Sequence, residues 1–164
     1  MIKKNLRKSF IISSSLVFSI FLLDRLSKLY VIFFDQKIFD NEIFTSKFLN
    51  IQLVWNDGIA FGLLSFSQEK SYNLLTIFIS LVVIFIFYLV VKTKGLKNYA
   101  LLMILGGALG NLFDRLYYKA VPDFIDVHFE NFHWFIFNVA DIFITIGVIF
   151  VIFLEIIDNN KEKL

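Results

Sequence analysis

The sequence predicts a mainly α-helical polytopic membrane protein with four transmembrane helices and a small extracytoplasmic β-containing segment. Three observations carry that prediction. The 164 residues are 58% hydrophobic with 22 Phe, and the mean hydropathy is +0.74, whereas a soluble domain is about 45–50% apolar. Four apolar runs reach the ~20 residues that a helix needs to cross a bilayer. Basic residues are also distributed unevenly between the connections. The chain reads as a single domain over 1–164, without room for a separate soluble catalytic unit. Absence of cysteine excludes a disulfide framework, a thiolate nucleophile and a Cys metal site. A net charge of +2, with no basic stripe, gives no reason to expect nucleic acid as a partner.

The first span, about 9–34, follows a basic arm containing Lys3, Lys4, Arg7 and Lys8. Arm and apolar run resemble a secretory signal, but no small-residue cleavage site follows and the run continues past Asp24-Arg-Leu-Ser-Lys28, so an uncleaved span is expected. Asp24 and Lys28 are one helical turn apart and can pair. Lys28 is expected to snorkel outward to the headgroups. The segment of about 35–70 is too polar to span. Its stretch Phe48-Leu-Asn-Ile-Gln-Leu-Val-Trp55 alternates with period two, a strand signal. Next comes Asn56-Asp-Gly-Ile-Ala-Phe-Gly62, which reads either as a turn or as an amide with small residues, Gly58 and Ala60 among them, that admit a peptide backbone.

The second span, about 71–91, has no charge from Leu74 to Val91, and the third covers about 98–118. In the third, Gly106 and Gly110 form a G-x-x-x-G pair that permits close helix approach, and Asn111 and Arg115 share a face. The connection of 119–135 reads as an outer loop in which His128 and His133 are interfacial and Asp126 is solvated. The fourth span, about 136–157, is apolar apart from Asn138, Asp141 and Glu155. Nine basic residues (Lys3, Lys4, Arg7, Lys8, Lys92, Lys94, Lys97, Lys161 and Lys163) fall on one side, against four (Lys37, Lys47, Lys70 and Lys119) on the other. The positive-inside rule then places both termini in the cytoplasm.

At 1.5 Å per residue, Asp24 lies ~22 Å, Asn111 ~20 Å and Asp114 ~24 Å from the cytoplasmic start of their spans. Asp141 lies only ~8 Å below the outer start of its own. Polar groups from three segments therefore converge near the outer face. Charges at such depth are costly and point to function. Asp123 and Asp141 both sit at outer span ends among apolar neighbours. Two carboxylates close together in a low dielectric cannot both ionise easily, so one can act as base toward water while the other keeps its proton. A loop acid or helix cap is the alternative for Asp123, and a structural hydrogen bond for Asp141. A proton-coupled transporter would spread its acids through the membrane depth and show repeats; these acids cluster and no repeat is visible. A non-enzymatic scaffold would tolerate Asp123→Asn.

Five motifs taken together resemble the bacterial lipoprotein signal peptidases (signal peptidase II). They are Asp24…Lys28, Asn56-x-Gly58-x-Ala60-Phe61, Gly106-Gly107-x-x-Gly110-Asn111-x-x-Asp114-Arg115, Val121-x-Asp123-Phe124 and Phe137-Asn138-x-Ala140-Asp141. The resemblance implies a four-span aspartyl endopeptidase of the inner membrane, with its site near the extracytoplasmic face. It would remove signal peptides from diacylglyceryl-modified prolipoproteins by cutting before the lipidated cysteine. By correspondence, Asp123 and Asp141 are the catalytic dyad. Asn56, Gly58, Ala60, Asn111, Arg115, Asn138 and Ala140 fall on substrate-binding positions. Asp24, Lys28, Gly107, Gly110 and Asp114 fall on supporting ones. The resemblance further implies no metal or cofactor, a monomer among membrane lipids, and inhibition by globomycin-type cyclic peptides.

Overall fold

The computed structural model describes residues 2–37, 42–58, 69–130 and 132–161. Among them are four helices, α1 (Ile2–Asp35), α2 (Glu69–Lys92), α3 (Leu96–Tyr118) and α4 (Val139–Lys161). Four strands, β1 (Glu42–Thr45), β2 (Leu49–Asn56), β3 (Val121–Phe129) and β4 (Phe132–Phe137), complete the described elements. Three helical stretches, Tyr72–Lys92, Leu96–Tyr118 and Val139–Asp158, are long and apolar enough to cross a membrane. The fold is therefore mainly helical with a small sheet.

Helix α3 packs against each of the other three helices. It is also the least apolar of the three candidate spans, with a mean hydropathy of 1.2 against 3.1 for α2 and 2.5 for α4. The trend follows from position, because α2 and α4 must present apolar side chains outward whereas α3 carries small and polar groups inward. Phe78, Leu81, Ile84, Ile149 and Phe153 are accordingly exposed on α2 and α4, a surface suited to lipid rather than water. Close approach to α3 depends on its glycines. A Cβ at Gly106 would meet Ile20 of α1, one at Gly107 would meet the carbonyl oxygen of Ala140 in α4, and one at Gly110 would meet the Asp24 carboxylate.

The contact between α1 and α3 encloses a network of charges. Lys28 has no exposed surface. Its Nζ donates to Asp24 Oδ2 at 2.8 Å, Asn111 Oδ1 at 2.8 Å and Asp114 Oδ2 at 2.7 Å, so all three ammonium donors are used. Arg25 forms an ion pair with the other Asp114 oxygen, and its guanidinium lies 5.0 Å from the centre of the Phe113 ring. The expectation that Lys28 would snorkel outward is thus corrected: three oxygens fixed on two helices replace the water it would otherwise seek. Asp24 also accepts the N–H of Ala140 through Oδ1 at 3.0 Å. That bond satisfies one of the free amides in the first turn of α4 and joins a third helix to the network.

The strands form one antiparallel sheet in the order β1-β2-β3-β4. The expected β segment of about 35–70 supplies β1 and β2. The other half comes from 119–135, which was expected to be a loop, and from the assumed start of the fourth span at 136. Phe132–Phe137 is so rich in apolar side chains that it merges with the following helix in any hydropathy reading, and only hydrogen bonding to β3 separates them. Lys119, in the left-handed conformation at φ 63°, ends α3 and turns the chain directly into β3. Pro122 is tolerated because β4 pairs with β3 only from Ile125 onward, leaving that side of Pro122 without a strand partner.

A bulge in β2 determines what each sheet face carries. Ile51 pairs with Ile125, whereas Val54 pairs with Asp123, so β2 takes three steps where β3 takes two. Side chains alternate along a strand and a one-residue insertion reverses their phase. Asn50 and Gln52 therefore share one face with Asp126, while Asn56 comes round to the face of Asp123.

Two outcomes are expected from this packing. Lys28→Met leaves two buried carboxylates without their shared cation and lowers stability by about 3–5 kcal/mol, measurable by thermal unfolding in detergent. Gly107→Val drives side-chain atoms against the α4 backbone and lowers stability by about 1–3 kcal/mol or more. Wild-type melting of either variant would contradict the packing described.

Candidate active site

Asp123 and Asp141 arrive from different elements. Asp123 is the third residue of β3, carried there by the turn at Lys119. Asp141 is the third residue of α4 and is held by a reciprocal cap with Asn138. The Asn138 N–H donates to Asp141 Oδ2 at 3.1 Å, and the Asp141 N–H donates to Asn138 Oδ1 at 3.2 Å. This is the capping-box arrangement with Asn and Asp in place of Ser and Glu. Asn138 thus leaves its amide nitrogen free to point elsewhere, and it donates to Asp123 Oδ1 at 2.6 Å. One fully buried asparagine ties the two acids together.

Further amides complete the surroundings. Asn56 Nδ2 donates to Asp123 Oδ2 at 2.8 Å, and its Oδ1 accepts the Gly58 N–H at 2.9 Å. The turn reading of this motif therefore holds, and Asn56 also reaches the acid. Asn111 spans the other side, donating to Asp141 Oδ1 at 2.8 Å while accepting from Lys28. It links the charge network below to the acids above. Arg115 donates to the Gly58 carbonyl, and its own carbonyl accepts the Tyr72 hydroxyl at 2.9 Å.

The two acids line a cavity of about 30 Å³ together with Asn56, Asn111, Arg115, Val121 and Asn138. That is room for a water molecule with several polar partners. Beside it lies a groove of about 310 Å³, lined by Val54, Trp55, Asn56, Asp57, Asp123, Trp134, Phe135 and Ile136. Asp123 and Asn56 belong to both. Burial pushes the Asp123 carboxyl up from its ordinary 3.8 to about 6, and the nearby Asp141 charge adds to the rise, against the opposing pull of the Asn56 and Asn138 amides.

The structure thus brings together Asn56, Asn111, Arg115, Asp123 and Asp141 from four elements, with Asn138 from the junction of β4 and α4. Asp24, Lys28 and Asp114 lie in the adjoining network rather than on the cavity. Gly58 joins the site through its backbone, and Gly107 and Gly110 act at helix contacts. Ala140 differs from expectation. It is fully buried, its N–H is taken by Asp24 and its carbonyl faces Gly107, so it packs helices together and does not line the cavity. Ala60 lies outside the described residues. Tyr72 and Phe135 were not singled out in the sequence, and Val121 stood there only as part of the Asp123 motif. Only the aromatic character of Trp134 and Phe135 could have suggested a groove.

Comparison with known proteins agrees with this geometry. The profile of the family described as Signal peptidase (SPase) II matches residues 16–157. A lipoprotein signal peptidase of Pelagibacter ubique is 46% identical, covering 94% of this chain and 93% of that protein. One from Anaplasma marginale is 41% identical over 94% of this chain and 89% of its own. A solved bacterial membrane enzyme superposes with a TM-score of 0.72 at 30% identity, covering 91% of this chain and 90% of the other. With the motifs, the fold and these relatives in agreement, the chain belongs to the signal peptidase II family and is a peptidase that acts on lipoprotein signal peptides.

Proposed function

We propose that the chain is a membrane-embedded aspartyl endopeptidase in which Asp123 and Asp141 activate water together. The observation that carries this reading is the pair of carboxylates on one water-sized cavity, bridged by Asn138 and supplied with amide donors from Asn56 and Asn111. Such a pair shares one proton and titrates as a unit. The ionised member takes a proton from water as it attacks the scissile carbonyl, and the protonated member gives its proton to the carbonyl oxygen; on collapse the first passes the water's proton to the leaving amine and the second takes its own back from the hydroxyl. Arg115 and the asparagine amides orient the peptide and stabilise the developing charge.

The substrate is a diacylglyceryl-modified prolipoprotein, cut before its lipidated cysteine. The groove bordered by Trp55, Trp134 and Phe135 suits an apolar peptide entering from the bilayer. In this reading all four helices span the inner membrane as one domain, both termini are cytoplasmic, and the sheet lies outside with the dyad just beneath it. The basic-residue distribution supports that orientation. The enzyme works as a monomer without a catalytic metal, and globomycin-type peptides compete for the groove.

Purified protein in detergent, with chelator present, should cleave a lipid-modified prolipoprotein. Asp123→Asn and Asp141→Asn should each lose activity by about 10²–10⁴-fold while folding normally. Undiminished cleavage by either variant would remove that residue from the dyad.

Stability should also respond to pH through Asp123. Between about pH 4 and 6 the folded protein retains a proton there that the unfolded chain, titrating near 3.8, has released. Raising the pH through this window therefore removes stability, up to about 3 kcal/mol. The melting temperature of Asp123→Asn should gain on that of wild type across the window and hold its advantage above it. Parallel melting curves would contradict the burial assigned to Asp123.

A further inference from the structure

On the sheet face opposite Asp123, Asp126, His128 and His133 stand together. Asp126 and His128 are two apart on β3, and so share a face. His133 is the register partner of His128 across the β3–β4 pair. The two imidazoles stack with centroids 5.0 Å apart and planes within 23°. His133 Nδ1 lies 2.8 Å from Asp126 Oδ2. One ligand-capable atom from each of the three residues lies within 4.8 Å of the others. Asp126 was expected to be solvated and is instead fully buried, because β2 covers it; Asn50 and Gln52 reach the same Oδ2 at 3.4 and 3.5 Å.

Hydrogen bonding leaves this cluster incomplete. Among the described residues, Asp126 Oδ1 and His128 Nδ1 are both buried without a hydrogen-bond partner. A carboxylate oxygen accepts only, and an imidazole nitrogen accepts in one of its tautomers. Leaving such groups unsatisfied costs about 1–3 kcal/mol each. With His128 in the tautomer that leaves Nδ1 unprotonated, two acceptors stand without a donor among the described residues, beside a third ligand on a facing strand, and a cation would answer both. A bulge in the β3–β4 pairing next to them, where Asp126 pairs with Ile136 but His128 with His133, is the kind of irregularity that re-aims side chains at sites.

We propose that Asp126, His128 and His133 bind a divalent transition-metal ion of the zinc type, which clasps β4 to β3. Two imidazoles and one carboxylate suit Zn²⁺, Co²⁺ or Cu²⁺ rather than Mg²⁺ or Ca²⁺, which favour all-oxygen sets. Bonds of about 2.0–2.2 Å require the three groups to close by a fraction of their present separation. Asn50 and Gln52 steady the carboxylate from behind, as outer partners do at metal centres. The ion sits apart from the dyad and takes no part in cleavage. Its effect is to hold the strand whose end leads into Asn138 and the start of α4.

The chain has two histidines and no cysteine, so imidazole coordination in tag-free protein can arise only here. Cu²⁺ added to the purified enzyme in detergent should give an electron paramagnetic resonance spectrum with imidazole-nitrogen coupling. Co²⁺ should titrate to about one ion per chain with the visible absorption of a low-coordinate site. Zn²⁺, but not Mg²⁺, should raise the melting temperature by several degrees, an effect lost in His128→Ala and His133→Ala. Absence of nitrogen coupling in wild type overturns the proposal without reference to any variant. Equal Zn²⁺ stabilisation of wild type and a His128→Ala/His133→Ala double variant overturns it as well.

Discussion

The burial of one ammonium group at the meeting of α1 and α3 governs the rest of the molecule. Lys28 has no exposed surface and is neutralised by Asp24 and Asp114 from two helices. Each of its partners carries the constraint onward. Asp24 reaches the first turn of α4, and Asn111 reaches Asp141. A buried ion pair adds little net stability compared with apolar packing, but breaking it is expensive. What the network contributes is register. The bonds from Asp24 to Ala140 and from Asn111 to Asp141 tie three helices together, in an arrangement that puts Asp141 beside Asp123.

In the proposed orientation the acids occupy a junction between two solvents. Asp141 opens a helix long and apolar enough to cross a membrane, while Asp123 belongs to a strand of the sheet. Asn138 lies between the strand and the helix and bonds to both acids. In the proposed reading, a substrate that stays anchored by lipid requires the acids where the bilayer ends and water can still be delivered one molecule at a time. The small cavity at the dyad and the larger aromatic-lined groove beside it fit that division of labour.

Much of this was legible in the sequence, for reasons that can be named. Spans of the length of α2 and α3 are visible because lipid demands unbroken apolar runs. Asp24, Asn111, Asp114 and Asp141 were identifiable as one cluster because helix rise converts sequence position to depth. Asn56, Asn138 and Arg115 stood out as polar groups at the edges of those runs. The β3–β4 hairpin was not legible, since Phe132–Phe137 has the composition of a span and its hydrogen bonds are long-range. For the same reason the fourth helix was started three residues early. Lys28 and Asp126 were given to water because a single sequence does not reveal which partners enclose a charge. Ala140 was assigned to the substrate on motif position, while its contacts are with α1 and α3. The pairing of His128 with His133 depends on strand register, which spacing alone cannot supply.

The central claim is that Asp123 and Asp141 form one coupled acid pair. Infrared spectroscopy of the purified protein through a pH titration tests it most directly, with the Asp123 band assigned by difference against Asp123→Asn. The protonated-carboxyl stretch of Asp123 should persist to about pH 6 and shift to lower pH in Asp141→Asn, where the neighbouring charge is gone. A band that vanishes near the ordinary carboxylate range, or one unmoved by Asp141→Asn, would contradict it.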